Sequence, residues 1–475
     1  MQLQKILSKI QFVKIINQQE IEITSIHYNS AECKNNSLFV AIKGDNADGN
    51  NYIPDAIKKG AKVIITSDLY AKIIKEITYI FVEDERKTLA KLSHLFYDDP
   101  TKELVCIGIT GTNGKTTTTS LIKSVLETAG KKVGMIGTTG VFYNEKKIET
   151  NHTTPESLEL AKIIRKMVDE GVEYLVMEVS SHSIVQQRVT EIPFKVAAFT
   201  NLTHEHIDFH KTYEEYALAK KKLFDNLSKD CIAVINMDDS FSEYMVSDCK
   251  GIIKKVGENT NDYMITGVSI EKAQSSFTLN NTPVKTKLTA YFNIQNAALS
   301  YAICNELGID KKYIIEGLSN SNGAPGRLQS VIIKNGATAF VDYAHTPDAL
   351  EKALLSCKKL VNDGRLICLF GCGGDRDKTK RPIMGKIAEK EADIVIITDD
   401  NPRTEDSSSI INDIMEGIEN KKNIKVIANR GEAIKIAKNI SSKNDIILVA
   451  GKGHEEYQII GNNKYHFSDL EELLK

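Results

Sequence analysis

The sequence predicts an α/β protein with three domains: a small N-terminal α/β module, a central P-loop-type parallel sheet with helices on both faces, and a C-terminal Rossmann-like α/β domain. The first observation is length, because 475 residues correspond to about three domains at roughly 150 residues each. The second is that short apolar runs alternate with helical patterns, which is typical of parallel sheets covered by helices. The third is a glycine-rich loop that follows one apolar run and precedes a helix.

The predicted N-terminal domain covers residues 1–98. The apolar runs Leu38–Ile42 and Lys62–Ile65 indicate strands, since they are short and rich in β-branched residues. The segment Pro54–Lys59 between them has a helical pattern. A strand, a helix and a second strand in this order predict a small α/β module.

The predicted central domain covers residues 99–326. Five apolar runs alternate with helical segments, and the sites of such parallel sheets lie beyond the carboxyl ends of the strands. The segment Gly323–Arg327 contains a proline and two glycines, which interrupt regular structure and indicate a hinge. The predicted strands are Val105–Thr110, Val133–Ile136, Tyr174–Val179, Val196–Phe199 and Cys231–Ile235.

The predicted C-terminal domain covers residues 327–475. A second alternation of apolar runs and helical patterns predicts a second α/β sheet in this part of the chain. Its strands are expected near Phe340 and at Leu366–Phe370, Ile394–Thr398 and Ile446–Ala450.

Composition restricts the class of partner. The 61 basic and 63 acidic residues nearly cancel, so no broad attraction to nucleic acid or an anionic membrane is expected. No apolar run approaches the length of a membrane span, and lysines interrupt the N-terminal stretch where a signal peptide would need an apolar core. The eight cysteines include no Cys-x-x-Cys pair, which indicates reduced core thiols. We expect a cytoplasmic monomer that acts on small molecules.

The segment Gly111-Thr112-Asn113-Gly114-Lys115-Thr116-Thr117 joins the strand predicted at 105–110 to a helical pattern. A glycine turn at a helix N-terminus aims backbone N–H groups at an anion. Lys115 adds a positive charge, and the Thr116 hydroxyl suits Mg²⁺. The usual P-loop spacing needs a glycine where this chain has Ile109, so the loop is a shortened variant. It predicts a nucleotide phosphate site, and a plain strand–helix connection is the alternative.

Polar side chains follow two other predicted strands of the central domain. Glu178 ends one strand and could complete a Mg²⁺ shell, with a structural salt bridge as the alternative. The segment 204–210 contains three histidines and two carboxylates, a density that indicates a metal site. Irregular spacing disfavours zinc and favours a second Mg²⁺ beside a nucleotide. Surface histidines in a loop are the alternative.

Two further segments are ambiguous on their own. Lys220, Lys221 and Lys222 follow one another within the helix predicted at Tyr213–Leu227, and such a triplet normally indicates a solvated helix face. The segment Asp400-Asn401-Pro402-Arg403 follows a predicted strand and is an ordinary turn signal.

Five motifs, one after another, lie in the predicted central and C-terminal domains: Gly111–Thr117, Met177–His182, Thr200–Leu202 with His206, Asp342–Pro347 and Gly371–Asp377. Together they resemble the motifs of the Mur ligases of peptidoglycan synthesis. The resemblance runs nearly end to end, so chance agreement is negligible.

The resemblance implies an ATP-dependent ligase. In the implied reaction, the γ-phosphate of ATP passes to the D-glutamate carboxylate of UDP-N-acetylmuramoyl-L-alanyl-D-glutamate. The amine of meso-diaminopimelate then attacks the acyl phosphate. Phosphoryl transfer needs positioning and charge neutralisation more than a protein nucleophile, and Lys115 and Mg²⁺ would supply the charge.

The resemblance also implies roles for single residues. Catalytic roles fall on Lys115, Glu178, His206 and Lys220, and Thr116 joins the last three around the metal. Lys220 aligns with a lysine that is carbamylated by CO₂, a change that turns an ammonium into an anionic oxygen ligand. The residues that resemble ATP contacts outside the phosphate loop are Asn296, Arg327 and Asp342, and a site divided over a hinge suggests closure on substrate.

Ser30 resembles the uridine contact of the family. The family often has Asp-Ser-Arg where this chain has Asn29-Ser30-Ala31, so both charges are missing, among them an arginine that could face phosphate. Glu205 replaces a usual aspartate and Ala290 a usual glycine, and we expect both changes to be mild. The residues that resemble the contacts to the UDP-sugar peptide are Asn151, Thr153, Thr154, Ser180, Gln186 and Arg188.

The amino-acid choice rests on Asp400-Asn401-Pro402-Arg403, which resembles the signature of family members that add meso-diaminopimelate. This diamino acid has a second carboxylate that lysine lacks, and an arginine offers it a bidentate partner. Glu455 suits the distal ammonium. The remaining implied contacts are Arg376 and Gly451.

Several alternatives remain open at this point. One is the L-lysine-adding enzyme, which would leave Arg403 facing no anion. Another is a different amide ligase of the superfamily, such as a folylpolyglutamate or D-alanyl-D-alanine-adding enzyme. The third is a non-enzymatic nucleotide-binding regulator, against which intact Lys115, Glu178, His206 and Lys220 argue.

Overall fold

The computed structural model describes residues 1–44, 47–150, 152–203 and 210–475. The chain divides into two compact units. The first comprises Met1–Lys115 and Gly130–Lys254, and the second comprises Thr116–Ala129 and Lys255–Lys475. Within the described ranges, every helix is too short or too polar to cross a bilayer.

The first 98 residues form a five-stranded sheet with helices. The elements are α1 (Leu3–Leu7), β1 (Lys14–Ile16), β2 (Ser25–His27), β3 (Ser37–Val40), α2 (Ile53–Lys58), β4 (Ala61–Thr66), β5 (Thr78–Phe81) and α3 (Glu85–Phe96). The strand order is β1-β5-β4-β3-β2, and β1 is antiparallel to its neighbour. Val63 and Ile65 belong to one apolar cluster and Ile64 to another, because successive side chains of a strand point to opposite faces.

The central region of the first unit forms a larger sheet. Its elements, with the helix that follows the phosphate loop, are β6 (Val105–Thr110), α4 (Lys115–Thr128), β7 (Val133–Gly137), β8 (Gly140–Tyr143), β9 (Lys146–Ile148), α5 (Ser157–Asp169), β10 (Tyr174–Glu178), α6 (Ser181–Val185), β11 (Phe194–Phe199), α7 (Tyr213–Asp225), β12 (Ile232–Asn236) and α8 (Ser242–Val246). The strand order is β12-β11-β6-β10-β7-β8-β9. The strands from β12 to β7 are parallel, and β8 and β9 add an antiparallel edge.

The second unit begins with one strand, a three-stranded antiparallel meander and two helices. These elements are β13 (Ile252–Gly257), which starts in the first unit, β14 (Tyr263–Ile270), β15 (Ser275–Leu279), β16 (Thr282–Thr286), α9 (Tyr291–Glu306) and α10 (Lys311–Asn320). α4 belongs to this unit from Thr116 onward. Ser124 Oγ of α4 donates to the Gly317 carbonyl at 2.9 Å, which ties α4 to α10.

The rest of the second unit is a six-stranded sheet with its own helices. The elements are β17 (Gln329–Ile332), β18 (Thr338–Asp342), α11 (Pro347–Lys358), β19 (Leu366–Phe370), α12 (Lys380–Glu391), β20 (Ile394–Ile397), α13 (Ser407–Met415), β21 (Ile424–Val426), α14 (Arg430–Ile440), β22 (Ile446–Ala450), β23 (Tyr457–Ile460), β24 (Asn463–His466) and α15 (Asp469–Leu474). The strand order is β17-β18-β22-β19-β20-β21, and β23 pairs only with β24 among the described strands. All pairs of the six-stranded sheet except β17 with β18 are parallel.

The predicted fold class is confirmed. The protein is a mixed α/β protein with a large central parallel sheet and separate N-terminal and C-terminal sheets. The predicted strands and helices named above are present, with ends that differ by one or two residues. Sequence analysis missed the antiparallel strands β8, β9 and β14 to β16. The three domain boundaries remain a prediction.

Buried thiols are present in each part of the chain. The buried free cysteines are Cys33, Cys106, Cys304, Cys357, Cys368 and Cys372. Burial raises the pKa of the Cys106, Cys368 and Cys372 thiols to about 12. These cysteines therefore behave as small apolar core residues, as the sequence predicted.

Ala290 is a strained residue at the start of α9. Its φ is 78° and its ψ is 145°, a region that glycine adopts easily and alanine does not. The expectation that alanine is a mild replacement here is therefore wrong for the backbone. We expect Ala290→Gly to raise the free energy of unfolding by about 1 kcal/mol, because the relief of strain exceeds the added chain entropy. Thermal unfolding measures the change, and Ala297→Gly inside α9 should instead lower stability.

His94 makes stability depend on pH. The ring is buried, with Nδ1 3.3 Å from Thr101 Oγ1, and burial lowers the pKa of His94 to about 4. The folded protein therefore binds a proton at His94 less readily than the unfolded chain does. As a result, the free energy of unfolding is highest above pH 6.5 and falls by up to about 3 kcal/mol as the pH decreases towards 4. Urea unfolding at several pH values should show a smaller acid loss in His94→Gln. An equal loss in both proteins would exclude His94 as the cause.

Candidate active site

The carboxyl ends of four parallel strands meet at one edge of the central sheet. In the strand register, Glu178 of β10 lies beside Ile109 of β6, and Phe199 of β11 lies beside Thr110. Met177 lies beside Ile136 of β7. The loops that follow these strands are therefore neighbours, and they carry most of the residues predicted for the central site.

The phosphate loop leaves β6 through a glycine that no other residue can replace without strain. Gly111 has a φ of 144°, and a Cβ atom there would lie 1.9 Å from Thr200 Oγ1. α4 begins at Lys115, so the positive end of this helix lies at the end of the loop. The N–H groups of a first helical turn have no partner within the helix, and they provide the donors that an anion needs.

The loop after β11 holds the phosphate loop in place. Asn201 Oδ1 accepts a hydrogen bond from Asn113 N at 2.9 Å, and Asn201 Nδ2 donates to Asn113 O at 3.1 Å. Thr200 Oγ1 also donates to Asn113 O, at 2.6 Å, and Thr112 N donates to Asn201 O at 2.8 Å. The loop is therefore fixed from one side by a neighbouring strand, which lowers the entropy lost when it binds a ligand.

Two lysines donate to the same carbonyl oxygen of the phosphate loop. Lys115 Nζ lies 2.8 Å from Gly111 O, and Lys220 Nζ of α7 lies 2.9 Å from the same atom. Lys220 is only 1% exposed, and its Nζ also lies over the Tyr216 ring, 4.5 Å from the centroid. Two positive charges at one oxygen favour an anion in this place.

The interpretation of the lysine triplet as a solvated face is wrong for two of its members. Lys220 and Lys221 are buried, and Lys222 is exposed. Lys221 Nζ pairs with Asp225 at 2.6 Å and with Asp248 at 2.5 Å. The first lysine therefore lies at the phosphate loop, while the second holds α7 to the chain that follows.

Glu178 lies at the end of β10 and is 1% exposed. Its Oε1 accepts from Thr138 N at 2.8 Å, and its Oε2 accepts from Thr138 Oγ1 at 3.1 Å. Thr138 Oγ1 also lies 3.2 Å from Thr153 Oγ1. The structural salt bridge considered as an alternative is not among the contacts of the described residues, and the carboxylate is instead oriented by a neutral residue.

Gly137 leaves room for Glu178, and its replacement is a test of this carboxylate. A Cβ atom at position 137 would lie 2.3 Å from Glu178 Oε1, so Gly137→Ala must displace the side chain. We expect kcat/KM to fall about 10- to 100-fold with a raised Mg²⁺ requirement, which is the effect that the predicted role of Glu178 as a metal ligand implies. Initial rates across a Mg²⁺ series measure this. An unchanged Mg²⁺ requirement in the variant would contradict the role of Glu178.

The Mg²⁺ site predicted at Thr116, Glu178, His206 and carbamylated Lys220 is described only in part. His206 lies outside the described residues. Asn151, which was predicted as a contact to the sugar peptide, also lies outside them. Among the residues with described positions, no group of three His, Cys, Asp or Glu side chains could hold a metal alone. The Glu178 carboxylate and the Thr116 hydroxyl are oxygen donors of the type that Mg²⁺ prefers when it also binds substrate phosphates. Each of these two donors therefore suits Mg²⁺ in its chemical type.

The residues predicted for the sugar peptide lie beside Glu178. Thr154 Oγ1 donates to Glu178 O at 2.9 Å and lies 3.4 Å from Ser180 Oγ. Arg188 donates from Nη1 to Thr154 O at 2.7 Å and from Nη2 to Gln186 Oε1 at 2.6 Å. Five of the six predicted residues, with Asn151 as the exception, thus belong to one cluster.

A cavity of 740 Å³ lies at the N-terminal sheet, within the first unit. Its lining includes Tyr28, Ser30 and Ala31, together with Arg86 and Glu156. Ser30 is buried, and a hydrogen bond from its hydroxyl is the main cause of the lowered pKa of Asp55. The volume is in the range of small-molecule sites, so the predicted uridine contact lies in a cavity of suitable size.

Asn296 of α9 is buried against α4 in the second unit. Its Oδ1 accepts from Thr118 Oγ1 at 3.3 Å, and its Nδ2 donates to Asn293 Oδ1 at 3.2 Å. The predicted ATP contact is therefore linked directly to the helix that follows the phosphate loop.

Arg327 and Asp342 lie together at the start of the C-terminal sheet. Asp342 accepts hydrogen bonds from Leu328 N at 2.6 Å and Ala344 N at 2.9 Å. Burial raises the pKa of Asp342, and the nearby Arg327 opposes the shift. The Arg327 guanidinium lies 5.0 Å from the centre of the Tyr343 ring.

The segment 400–403 is fixed between two neighbouring loops. Arg403 has a φ of 53°, and its Nη1 donates to Gly374 O at 2.9 Å. Gly374 N donates to Asn401 O at 2.9 Å. A Cβ atom at Gly373 would lie 2.9 Å from Arg403 Nη1 and 3.7 Å from Arg376 Cγ. The two predicted arginines therefore lie on either side of one glycine, and Arg376 is exposed.

Glu455 belongs to a buried polar network with the same segment. Its Oε2 accepts from Asn401 Nδ2 at 2.8 Å and from Lys452 Nζ at 3.2 Å. Lys452 is fully buried and lies 3.9 Å from Asp400 Oδ1. A Cβ atom at Gly451 would lie 2.5 Å from Asp400 Oδ2. All of the predicted diaminopimelate contacts thus lie in three adjacent loops of the second unit.

Sequence analysis missed residues that hold this site together. Lys452 neutralises Glu455, and Arg381 bonds to Glu405 with both terminal nitrogens, each at 2.8 Å. Arg381 also donates to Gly373 O at 3.2 Å. Lys452 lies between the predicted contacts Gly451 and Glu455, and this position was the one available signal. Thr138 orients Glu178, and no motif in the sequence indicated this role.

The chain is similar to known proteins over its whole length. Three family models match the chain: Mur ligase family, catalytic domain, at residues 22–97; Mur ligase middle domain at 109–304; and Mur ligase, glutamate ligase domain, at 326–453. A protein of Clostridium tetani (strain Massachusetts / E88) named UDP-N-acetylmuramoyl-L-alanyl-D-glutamate--2,6-diaminopimelate ligase is 43% identical, with 99% of this chain and 98% of that protein covered. A protein of the same name from Clostridium botulinum (strain ATCC 19397 / Type A) is 44% identical, with full coverage of both chains.

The chain is also similar to solved structures. A structure of UDP-N-acetylmuramoyl-L-alanyl-D-glutamate--2,6-diaminopimelate ligase has a TM-score of 0.73 and 31% identity, with 100% of this chain and 98% of that chain covered. MurF ligase of Thermotoga maritima in complex with ADP has a TM-score of 0.61 and 20% identity, with 90% of this chain and 94% of that chain covered. The second comparison shows a shared fold alone.

Proposed function

Because the chain belongs to the Mur ligase family, we propose that it joins meso-diaminopimelate to UDP-N-acetylmuramoyl-L-alanyl-D-glutamate with ATP. The observation that carries the proposal is Lys115 Nζ on the carbonyl oxygens of Gly111 and Thr112, at the helix N-terminus where a triphosphate would lie. The identity of the amino acid rests on the printed names of full-length relatives and on the positions of Arg403 and Glu455.

The first step is phosphoryl transfer. A carboxylate oxygen of the D-glutamate bonds to the γ-phosphorus of ATP, the bond to the β-γ bridging oxygen breaks, and ADP leaves. Lys115 and the first turn of α4 would neutralise the charge that moves onto the bridging oxygen. The hydrogen bonds from Thr200 and Asn201 hold the loop in place before the substrate arrives.

The second step is amide formation. The amine of the diamino acid attacks the acyl carbon. The C–O bond to phosphate then breaks, inorganic phosphate leaves, and the amine nitrogen loses a proton. Arg403, fixed by Gly374, would bind the distal carboxylate, and Glu455 would bind the distal ammonium. Asn401 and Lys452 already bond to Glu455 Oε2, so its Oε1 is the atom placed for that contact.

Mg²⁺ would supply charge neutralisation on the phosphates when bound. Glu178 and Thr116 would hold it, together with His206 and a carbamate on Lys220. The support for a carbamate is that Lys220 is buried beside Lys115, where a second ammonium is unfavourable and an anionic oxygen ligand is favourable. The protein would act as a monomer in the cytoplasm.

Phosphate release by the purified protein tests the proposal. The assay contains ATP, Mg²⁺ and the UDP-sugar dipeptide, with meso-diaminopimelate, L-lysine or D-alanyl-D-alanine as the acceptor. Release that depends on diaminopimelate is expected. Release with L-lysine alone would support a ligase but contradict diaminopimelate as its substrate. No release with any acceptor would contradict the enzymatic function.

A further inference from the structure

The cavity at the N-terminal sheet has few charged groups. Among its described lining residues, Asp55, Arg86 and Glu156 carry charge, and Arg86 is the cation. Asp55 is engaged by Lys59, whose Nζ lies 3.0 Å from Asp55 Oδ2, in addition to the Ser30 hydroxyl. The residues of the Ala31 loop that line the cavity, Tyr28 to Ala31, carry no positive charge.

Arg86 shares a carboxylate with a second arginine. Glu156 Oε1 lies 2.7 Å from Arg188 Nε and 3.5 Å from Arg86 Nη1. Arg188 is the closer partner, and its other nitrogens donate to Thr154 O and Gln186 Oε1. Two guanidinium groups and one carboxylate have a net charge of +1, and the more loosely paired member, Arg86, faces the cavity.

The position of Arg86 connects two sets of predicted contacts. Ser30, on the uridine side, lines the same cavity, while Glu156 and Arg188 lead to Thr154 and Gln186, on the sugar-peptide side. In a nucleoside diphosphate sugar, the diphosphate is the part between the nucleoside and the sugar. A guanidinium at this point matches it, because a planar fork of donors binds phosphate oxygens in pairs.

We propose that Arg86 binds the diphosphate of the nucleotide-sugar substrate and supplies the charge that Ala31 does not. The inference rests on the proposed function, since it assumes a nucleoside diphosphate sugar. It assigns Arg86 as a substrate-binding residue and Glu156 as the residue that positions it.

Binding of uridine, UMP and UDP, measured by calorimetry, separates this role from a structural one. We expect Arg86→Ala to weaken UDP binding between about 10- and 100-fold and to change uridine binding less than twofold. UMP should be affected to an intermediate degree. Arg86→Lys keeps the charge and should lose less. Lys87→Ala is the matched control, because Lys87 is the next residue of α3 and is exposed.

A rescue experiment tests the relation to Ala31. Adding Ala31→Arg to Arg86→Ala should restore UDP binding by about tenfold. In steady state, Arg86→Ala should raise the KM for the UDP-sugar dipeptide while kcat stays within about twofold. Circular dichroism and thermal unfolding confirm that each variant is folded.

Two outcomes would overturn the inference. Equal weakening of uridine and UDP would show that Arg86 acts on the shape of the cavity, and unchanged UDP binding would show that it makes no contact. If the wild-type protein binds neither UDP nor the UDP-sugar dipeptide, the proposed function itself fails. That result is distinguishable because it appears before any substitution is made.

Discussion

Replacing Lys115 with alanine is expected to reduce turnover by at least about 10³-fold. Lys115 Nζ contacts the carbonyl oxygens of Gly111 and Thr112, at 2.8 Å and 2.7 Å, so it lies over the loop at the helix N-terminus. Its loss removes a charge needed most when negative charge moves onto the leaving ADP. The measurement is phosphate release under saturating substrates.

Two further variants make this test specific. Lys115→Met keeps the length of the side chain without its charge and should be as inactive as the alanine variant. Lys123→Ala removes a lysine of the same helix that pairs with Glu127 at 2.7 Å, and it should retain activity. Near-normal turnover in Lys115→Ala would show that the phosphate loop has been assigned to the wrong segment.

Replacing Arg403 with alanine is expected to lower kcat/KM for meso-diaminopimelate by about 100-fold, mostly through KM. Gly374 O holds one nitrogen of Arg403, and a guanidinium has further N–H groups for a carboxylate. The physical cause is the loss of a bidentate partner for the distal carboxylate. Initial rates as a function of diaminopimelate concentration measure the effect, while KM for ATP should remain unchanged.

Substrate comparison separates recognition from damage. L-lysine lacks the distal carboxylate, so any residual rate with L-lysine should change little in Arg403→Ala, and the preference for diaminopimelate should shrink. Arg403→Lys should give an intermediate KM, since an ammonium keeps the charge but loses the planar fork. If KM for diaminopimelate were unchanged in Arg403→Ala, the distal carboxylate would have to be bound elsewhere.

The parts of the fold that could be predicted are those with a strong local signal. β6 is predicted to the residue because an apolar run ends in a glycine turn. β14 was missed because the alternation of buried and exposed side chains stops after its first four residues. β15 and β16 do alternate, but most of their residues are serine, threonine or lysine, and Pro283 lies within β16. Proline is tolerated there because β16 is an edge strand, a fact that depends on the fold and is invisible in the sequence.

The parts of the site that could not be predicted are buried charges. Lys452 and Arg381 are each fully buried, and each is stabilised by partners distant in the chain. Composition alone assigns such residues to the surface, because an unpaired buried charge is costly. The motifs identified loops that lie close together within each unit of the structure, while the side chains that fix their positions required the structure.

The buried cysteines described above provide a set of internal reporters. Cys33 packs in an apolar cluster on the N-terminal sheet, while Cys106 lies in the central sheet and Cys368 in the C-terminal sheet. Each of the three is buried in the folded chain. A thiol reagent modifies such a residue only when its surroundings open. The rate at which each cysteine is labelled therefore measures how often its own sheet opens. The unlabelled native chain thus allows the order in which the three sheets unfold to be followed, with and without substrates.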